Sequence, residues 1–189
     1  MDRVRHSSGA VRQRIVAAVL VENERVRSRP LGVPKPSPCR EYFTGELCSP
    51  GEATAIRETF GHHARQKNPS LGYHDGDLYP HAPRERTWLT TFADTANQTL
   101  WHHDDLTCVS VNIMHYEAGS SFAWHCDGIM DPARHWVGVI ASLSDPNSYD
   151  GGELQLGQHT VPIKLPLGHA IALPGDLEHR VLKIESGHR

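Results

Sequence analysis

The feature that most constrains the fold is a succession of short apolar, β-branched segments that begins near Leu106 and continues almost to the end of the chain. Thr107 to Tyr116, Trp136 to Leu143, Glu153 to Leu156, Thr160 to Ile163, Ala170 to Leu173 and His179 to Ile184 each have strand length and strand composition. Turn signals separate them at Glu117–Ser120, Asp145–Gly152, Leu167–Gly168 and Pro174–Asp176. Several short strands at this spacing predict an antiparallel sandwich or barrel. The segment before residue 106 reads differently. Val11, Ile15, Ala18 and Val19 stand at helical spacing and predict an amphipathic helix. Pro30, Pro34, Pro36 and Pro38 then impose an extended, irregular stretch. Ser49 as N-cap, Pro50 in the first turn and Glu52 as capping-box partner predict a second helix to about Gln66. Its expected buried stripe is Ala55, Ile56, Phe60 and Ala64. Gly72 to Pro83 reads as a turn-rich loop, and Trp88 to Leu100 as a further helix. Helices first and strands afterwards give an α+β, mainly β, class.

Bulk properties narrow the function. A chain of 189 residues is the size of one domain. The net charge of −3 is mixed along the sequence, and no basic stripe is visible, which argues against a nucleic-acid partner. The longest apolar run, Ile15 to Val21, is too short to span a bilayer. Glu22, Asn23 and Glu24 follow it without a small-residue cleavage site, so it does not read as a signal peptide. Cys39, Cys48, Cys108 and Cys126 form no CxxC pair, and reduced thiols in a cytoplasmic protein are expected over a Cys39–Cys48 disulfide.

The chemistry concentrates in Trp124-His125-Cys126-Asp127-Gly128. Side chains alternate along a strand, so His125 and Asp127 point one way and Cys126 the other. One imidazole and one carboxylate make two adjacent metal ligands, and His179 is the candidate for the third. Two histidines and a carboxylate on one face of a metal leave positions open for a co-substrate and O₂, as iron(II) oxygenases require. Ten residues after His179 stands Arg189, whose guanidinium is suited to a bidentate grip on a carboxylate such as the C5 group of 2-oxoglutarate. Tyr116, which precedes His125 by one short turn, offers a phenol to the same carboxylate.

Three blocks in order carry a family resemblance: Tyr116-x-x-Gly119-x-x-Phe122-x-x-His125-x-Asp127; Leu143-Ser144-Asp145-Pro146 followed by Tyr149-Asp150-Gly151-Gly152-Glu153-Leu154; and His179 with Gly187-x-Arg189. With them the chain resembles the prolyl-4-hydroxylase-like branch of the 2-oxoglutarate/Fe(II) dioxygenases, including its PKHD-type hydroxylases, over roughly Ala96 to Arg189. The resemblance implies a double-stranded β-helix (jelly-roll) core over residues 106–189, with 1–105 as an N-terminal extension and supporting helices of a single domain. It implies Fe(II) on His125, Asp127 and His179, and 2-oxoglutarate held by Arg189 and Tyr116, with O₂ as oxidant. The expected reaction is hydroxylation of a small-molecule or amino-acid-like substrate with release of succinate and CO₂. Asp127 fills the position that related halogenases leave open, while desaturation and ring formation use the same site. Two departures stand out. The family places tyrosine at Phe122, and its members continue past the arginine into a closing strand, whereas this sequence ends at Arg189.

Each of these residues also has an ordinary reading. Taken singly, His125, Asp127 and His179 could be polar residues at a sandwich edge, Arg189 a solvated terminal residue and Tyr116 a core tyrosine. Arg134 is a candidate substrate ligand or a surface ion-pair partner. His102-His103-Asp104-Asp105 reads as a solvated turn, His62-His63 as cations at a helix C-terminus, and Gly151-Gly152 as a tight turn. Beside the oxygenase, a non-catalytic cupin-like metal-binding module and an inactive homologue acting as a binding partner remain open.

Overall fold

The computed structural model describes residues 42–67, 73–103, 106–127, 136–158 and 160–189, together with the backbone of 16–23. Twelve strands and two α-helices occur among them, in the order β1 (Val16–Asn23), β2 (Phe43–Glu46), α1 (Pro50–Phe60), β3 (Gln66–Lys67), β4 (Tyr73–Asp77), α2 (Pro83–Ala96), β5 (Leu106–Tyr116), β6 (Phe122–His125), β7 (Trp136–Ser142), β8 (Tyr149–Gly151), β9 (Leu154–Leu156), β10 (His169–Pro174), β11 (His179–Val181) and β12 (Ile184–Gly187). A seven-stranded sheet runs β2-β10-β7-β1-β5-β4-β3, a three-stranded sheet runs β6-β11-β9, and β12 pairs with β8. Their registered pairs are antiparallel.

The pleat sorts the large sheet into two faces. Val111 and Ile113 of β5, Val137, Val139 and Ala141 of β7, and Ala170 and Ala172 of β10 are each at most 1% exposed and join one core with both helices. Met114, Tyr116, Ile140, Ile171 and Leu173 alternate with them and belong to a second core, shared with Leu156, Val181 and Ile184 from the smaller sheets. With both faces covered, β7 and β10 are almost continuously apolar.

The helices follow their local signals. Ser49 Oγ accepts from the Glu52 amide while the Glu52 carboxylate accepts from the Ser49 amide, closing the expected capping box. α1 ends at Phe60, earlier than expected, and a 3-10 turn over Gly61–His63 follows it. Its buried positions are Ala53 and Ile56, with Phe60 half-buried and Ala64 buried; Ala55 is exposed, one step off the predicted stripe. α2 starts at Pro83, buries Leu89, Phe92, Ala93 and Ala96 at i, i+3, i+4 and i+7, and passes into a π-helical turn over Asn97–Trp101.

Four expectations are corrected. Residues 16–23 form a strand, not a helix: β1 lies between β5 and β7 and hydrogen-bonds to both. A short β-branched run fits either period, and the sheet's open ladder edges decide it; Val11 and Ile15 lie outside the described residues. Gly72 to Pro83 is not loop throughout, because β4 extends the sheet edge beside β5. Thr160 to Ile163 forms no strand among the described residues, only a bridge from Ile163 to Leu154. His179 to Ile184 divides into β11 and the start of β12. Among the described residues, no helix is long and apolar enough to cross a membrane.

Candidate metal centre

β6 and β11 are adjacent strands, and their register places His125 directly opposite His179. Asp127 sits in the turn just after β6. One ligand atom from each of the three residues lies within 4.8 Å of the others. His125 Nε2 is 3.6 Å from Asp127 Oδ1, and His179 Nε2 is 3.7 Å from Asp127 Oδ2. These distances are too long for hydrogen bonds and suit donors arranged around a shared cation.

Both imidazoles are oriented by the main chain. His125 Nδ1 donates to the Ala123 carbonyl at 2.8 Å, and His179 Nδ1 donates to the Leu177 carbonyl at 3.0 Å. A carbonyl can only accept, so each Nδ1 carries the proton and each Nε2 presents a lone pair to the site. Burial, reinforced by the neighbouring His179, pushes the His125 pKa below its ordinary value and favours the neutral ring a metal needs. Cys126 turns away, its Sγ directed to the Asp176 carbonyl at 3.5 Å. This donor set fits Fe(II): two imidazoles that turn Nε2 toward the site and one carboxylate, beside the apolar side chains of Met114, Phe122, Ile140 and Val181.

The cleft holding these residues has about 430 Å³ of empty space including its open mouth, and is also lined by Met114, Tyr116, Phe122, Ile140, Val181 and Arg189. Arg189 is only 3% exposed, yet its Nη1 has no hydrogen-bond partner among the described residues. A buried guanidinium with an unmet donor is a costly arrangement unless an anion completes it. Its backbone is fixed by reciprocal bonds with Tyr116, N to O at 2.9 Å and O from N at 2.7 Å. Its side chain runs beside Gly152, where φ is +67° and an added Cβ would lie 2.2 Å from Ile184 Cδ1 and 3.5 Å from Arg189 Cδ. Burial raises the Tyr149 pKa, and the Arg189 guanidinium nearby opposes that rise. Among the described residues the Tyr116 hydroxyl, on a side chain 2% exposed, reaches only the Met114 sulfur at 3.6 Å, and burial raises its pKa, so the hydroxyl stays protonated as a donor.

All five residues predicted for metal and co-substrate therefore line one cleft. Arg134 lies outside the described residues. Phe122 packs edge-on against His125, with ring centroids 3.9 Å apart, and against Tyr73 at 5.1 Å; Tyr73 in turn meets Tyr116 at 5.2 Å. Tyr73 carries no motif, and only the β4–β5 pairing brings it here. Tyr149 stands within a family block, but nothing in the sequence tied it to Arg189. The other histidine pairs stay apart: His63 packs between His62 and His81 beyond α1, and His103 is clasped by Asn97 through its backbone.

The fold is one seen in solved 2-oxoglutarate/Fe(II) oxygenases. The viral collagen prolyl hydroxylase of Paramecium bursaria Chlorella virus-1 superposes with a TM-score of 0.63 at 18% identity, covering 83% of this chain and 93% of that one. A Pseudomonas putida prolyl-4-hydroxylase gives 0.58 at 17% identity, covering 78% and 87%. In sequence, the chain is similar to PKHD-type hydroxylases: 41% identity over 85 residues with one from Xanthomonas euvesicatoria, and 35% over 83 residues with one from Bordetella pertussis. Each match covers 39% of this chain and spans 37% of the relative's length. No family model matches the chain.

Proposed function

We propose that this chain is an Fe(II)- and 2-oxoglutarate-dependent oxygenase that hydroxylates an aliphatic C–H of a small molecule or amino-acid side chain. Residues 1–189 then form one oxygenase domain, with a jelly-roll core over 106–189. The observation that carries the reading is that the His125, Asp127 and His179 donors share one cleft with a buried guanidinium whose Nη1 has no hydrogen-bond partner among the described residues. A metal-binding module has no use for that cation, whereas a dicarboxylate co-substrate does. Similarity to PKHD-type hydroxylases supports the same class.

His125, Asp127 and His179 would hold Fe(II), with Arg189 and Tyr116 on the distal carboxylate of 2-oxoglutarate. When bound, iron and co-substrate supply the oxidising chemistry, releasing succinate and CO₂. The chain contributes placement. Arg189 and the Tyr116 hydroxyl fix the co-substrate's far end, and the backbone-anchored imidazoles keep their Nε2 atoms aimed at one point. Met114, Phe122, Ile140 and Val181 form an apolar wall that excludes water from the reacting centre.

Anaerobic titration with Fe(II) and then 2-oxoglutarate tests this. The expected result is the weak visible absorption of a chelate, absent in His125→Ala and needing roughly 30-fold more 2-oxoglutarate in Arg189→Ala, in line with loss of a charge-assisted contact. Iron binding without that absorption would leave only a metal module, and no iron binding would sink the reading.

A further inference from the structure

We propose that Gly138 is a positioning residue for the metal centre: by having no side chain, it leaves the space that the Asp127 carboxylate occupies. This rests on the reading of Asp127 as a metal ligand. Gly138 lies inside β7, with β10 on one side and β1 on the other, and it is buried. Glycine is unfavourable in the interior of a strand relative to alanine, so a central one calls for a close approach by something else. Here that approach is explicit. A Cβ built on Gly138 would stand 2.8 Å from Asp127 Oδ2, while the Leu173 side chain lies at an ordinary 3.7 Å. Asp127 Oδ2 is the oxygen that faces His179 Nε2. Because Asp127 lies in a turn and Gly138 in a paired strand, the added methyl would displace the carboxylate rather than the strand. The large sheet thereby sets the position of a ligand carried by the small one.

The test compares the parent protein, Gly138→Ala, Asp127→Ala, the double variant, and Gly45→Ala. Gly45, on β2 of the same sheet, meets nothing closer than 3.5 Å and serves as the control. Anaerobic Fe(II) affinity and the apo melting temperature are measured on each. Gly138→Ala is expected to bind Fe(II) about 10- to 100-fold more weakly, the range for residues that orient a ligand, while Gly45→Ala binds as the parent does. Gly138→Ala is also expected to lower the apo melting temperature in the parent background and not in the Asp127→Ala background, where the carboxylate is gone. That second arm holds even if the single variant is too unstable to titrate. Unchanged affinity in Gly138→Ala, or an equal loss of melting temperature in both backgrounds, overturns the positioning role alone. A parent that binds no Fe(II) overturns the metal reading and the positioning role together.

Discussion

The two faces of the seven-stranded sheet are built from the same strands, one residue apart, and they obey different rules. On the helix face, Val111, Ile113, Val137, Val139, Ala141, Ala170 and Ala172 are sealed against α1 and α2. On the opposite face, Met114, Tyr116 and Ile140 border a cleft where, among the described residues, a guanidinium Nη1 has no hydrogen-bond partner and a phenol meets a thioether sulfur. Along β5 the change takes a single step, from Ile113 in the sealed core to Met114 at the cleft wall. Stability and chemistry are thus interleaved along one strand, and a one-residue slip in register would exchange them.

The largest effect expected is on the cleft face. His179→Ala should abolish Fe(II) retention and cost more than about a thousandfold in turnover, or roughly 4 kcal/mol of barrier, with a small change in apo melting temperature. Metal content after gel filtration and the melt are enough to read it, and a large loss of apo stability would erase the contrast between the faces. Next comes the sealed face: Ile113→Ala should cost about 3 kcal/mol in denaturant unfolding and leave Fe(II) affinity within twofold.

A smaller effect sharpens the comparison by pH. His115, on the helix side at the end of β5, is 4% exposed, and burial pushes its pKa down to about 4. The unfolded chain takes up that proton near pH 6.5, and the folded chain resists it until about 4. Stability should therefore be full above pH 6.5 and fall by roughly 3 kcal/mol as pH drops through this window. Chemical denaturation across pH 4 to 7 measures it, and His115→Phe should flatten the curve. Smallest is Ser49→Ala, which opens the capping box at the start of α1 and should cost about 1 kcal/mol, seen as a modest shift of the unfolding midpoint.

The sequence was legible wherever the signal was local. Ser49, Pro50 and Glu52 announce α1, the apolar runs announce β5, β7 and β10, and the spacing of His125, Asp127 and His179 points to the cleft. What it hid depends on pairing between distant segments. The Val16–Val21 run carries no period that separates a helix from a strand paired on both edges, and Tyr73-His74-Asp75-Gly76-Asp77 has no apolar alternation, so β4 forms because β5 offers an edge. Gly138 is an intermediate case. A lone glycine inside a β-branched run is a readable sign of close approach, but only the fold names Asp127 as what approaches.

The pairing of β6 with β11 has one more consequence. Asp127 and His179 are neighbours in space, yet the chain between them travels through β7, β8, β9 and β10 before it returns. A cation bridging them acts as a detachable staple across that excursion, closing a long loop as a disulfide would. Folding would then be linked to free Fe(II): above saturation, each tenfold rise in metal deepens the native basin by about 1.4 kcal/mol, so a cell short of iron would hold a looser and more readily degraded protein.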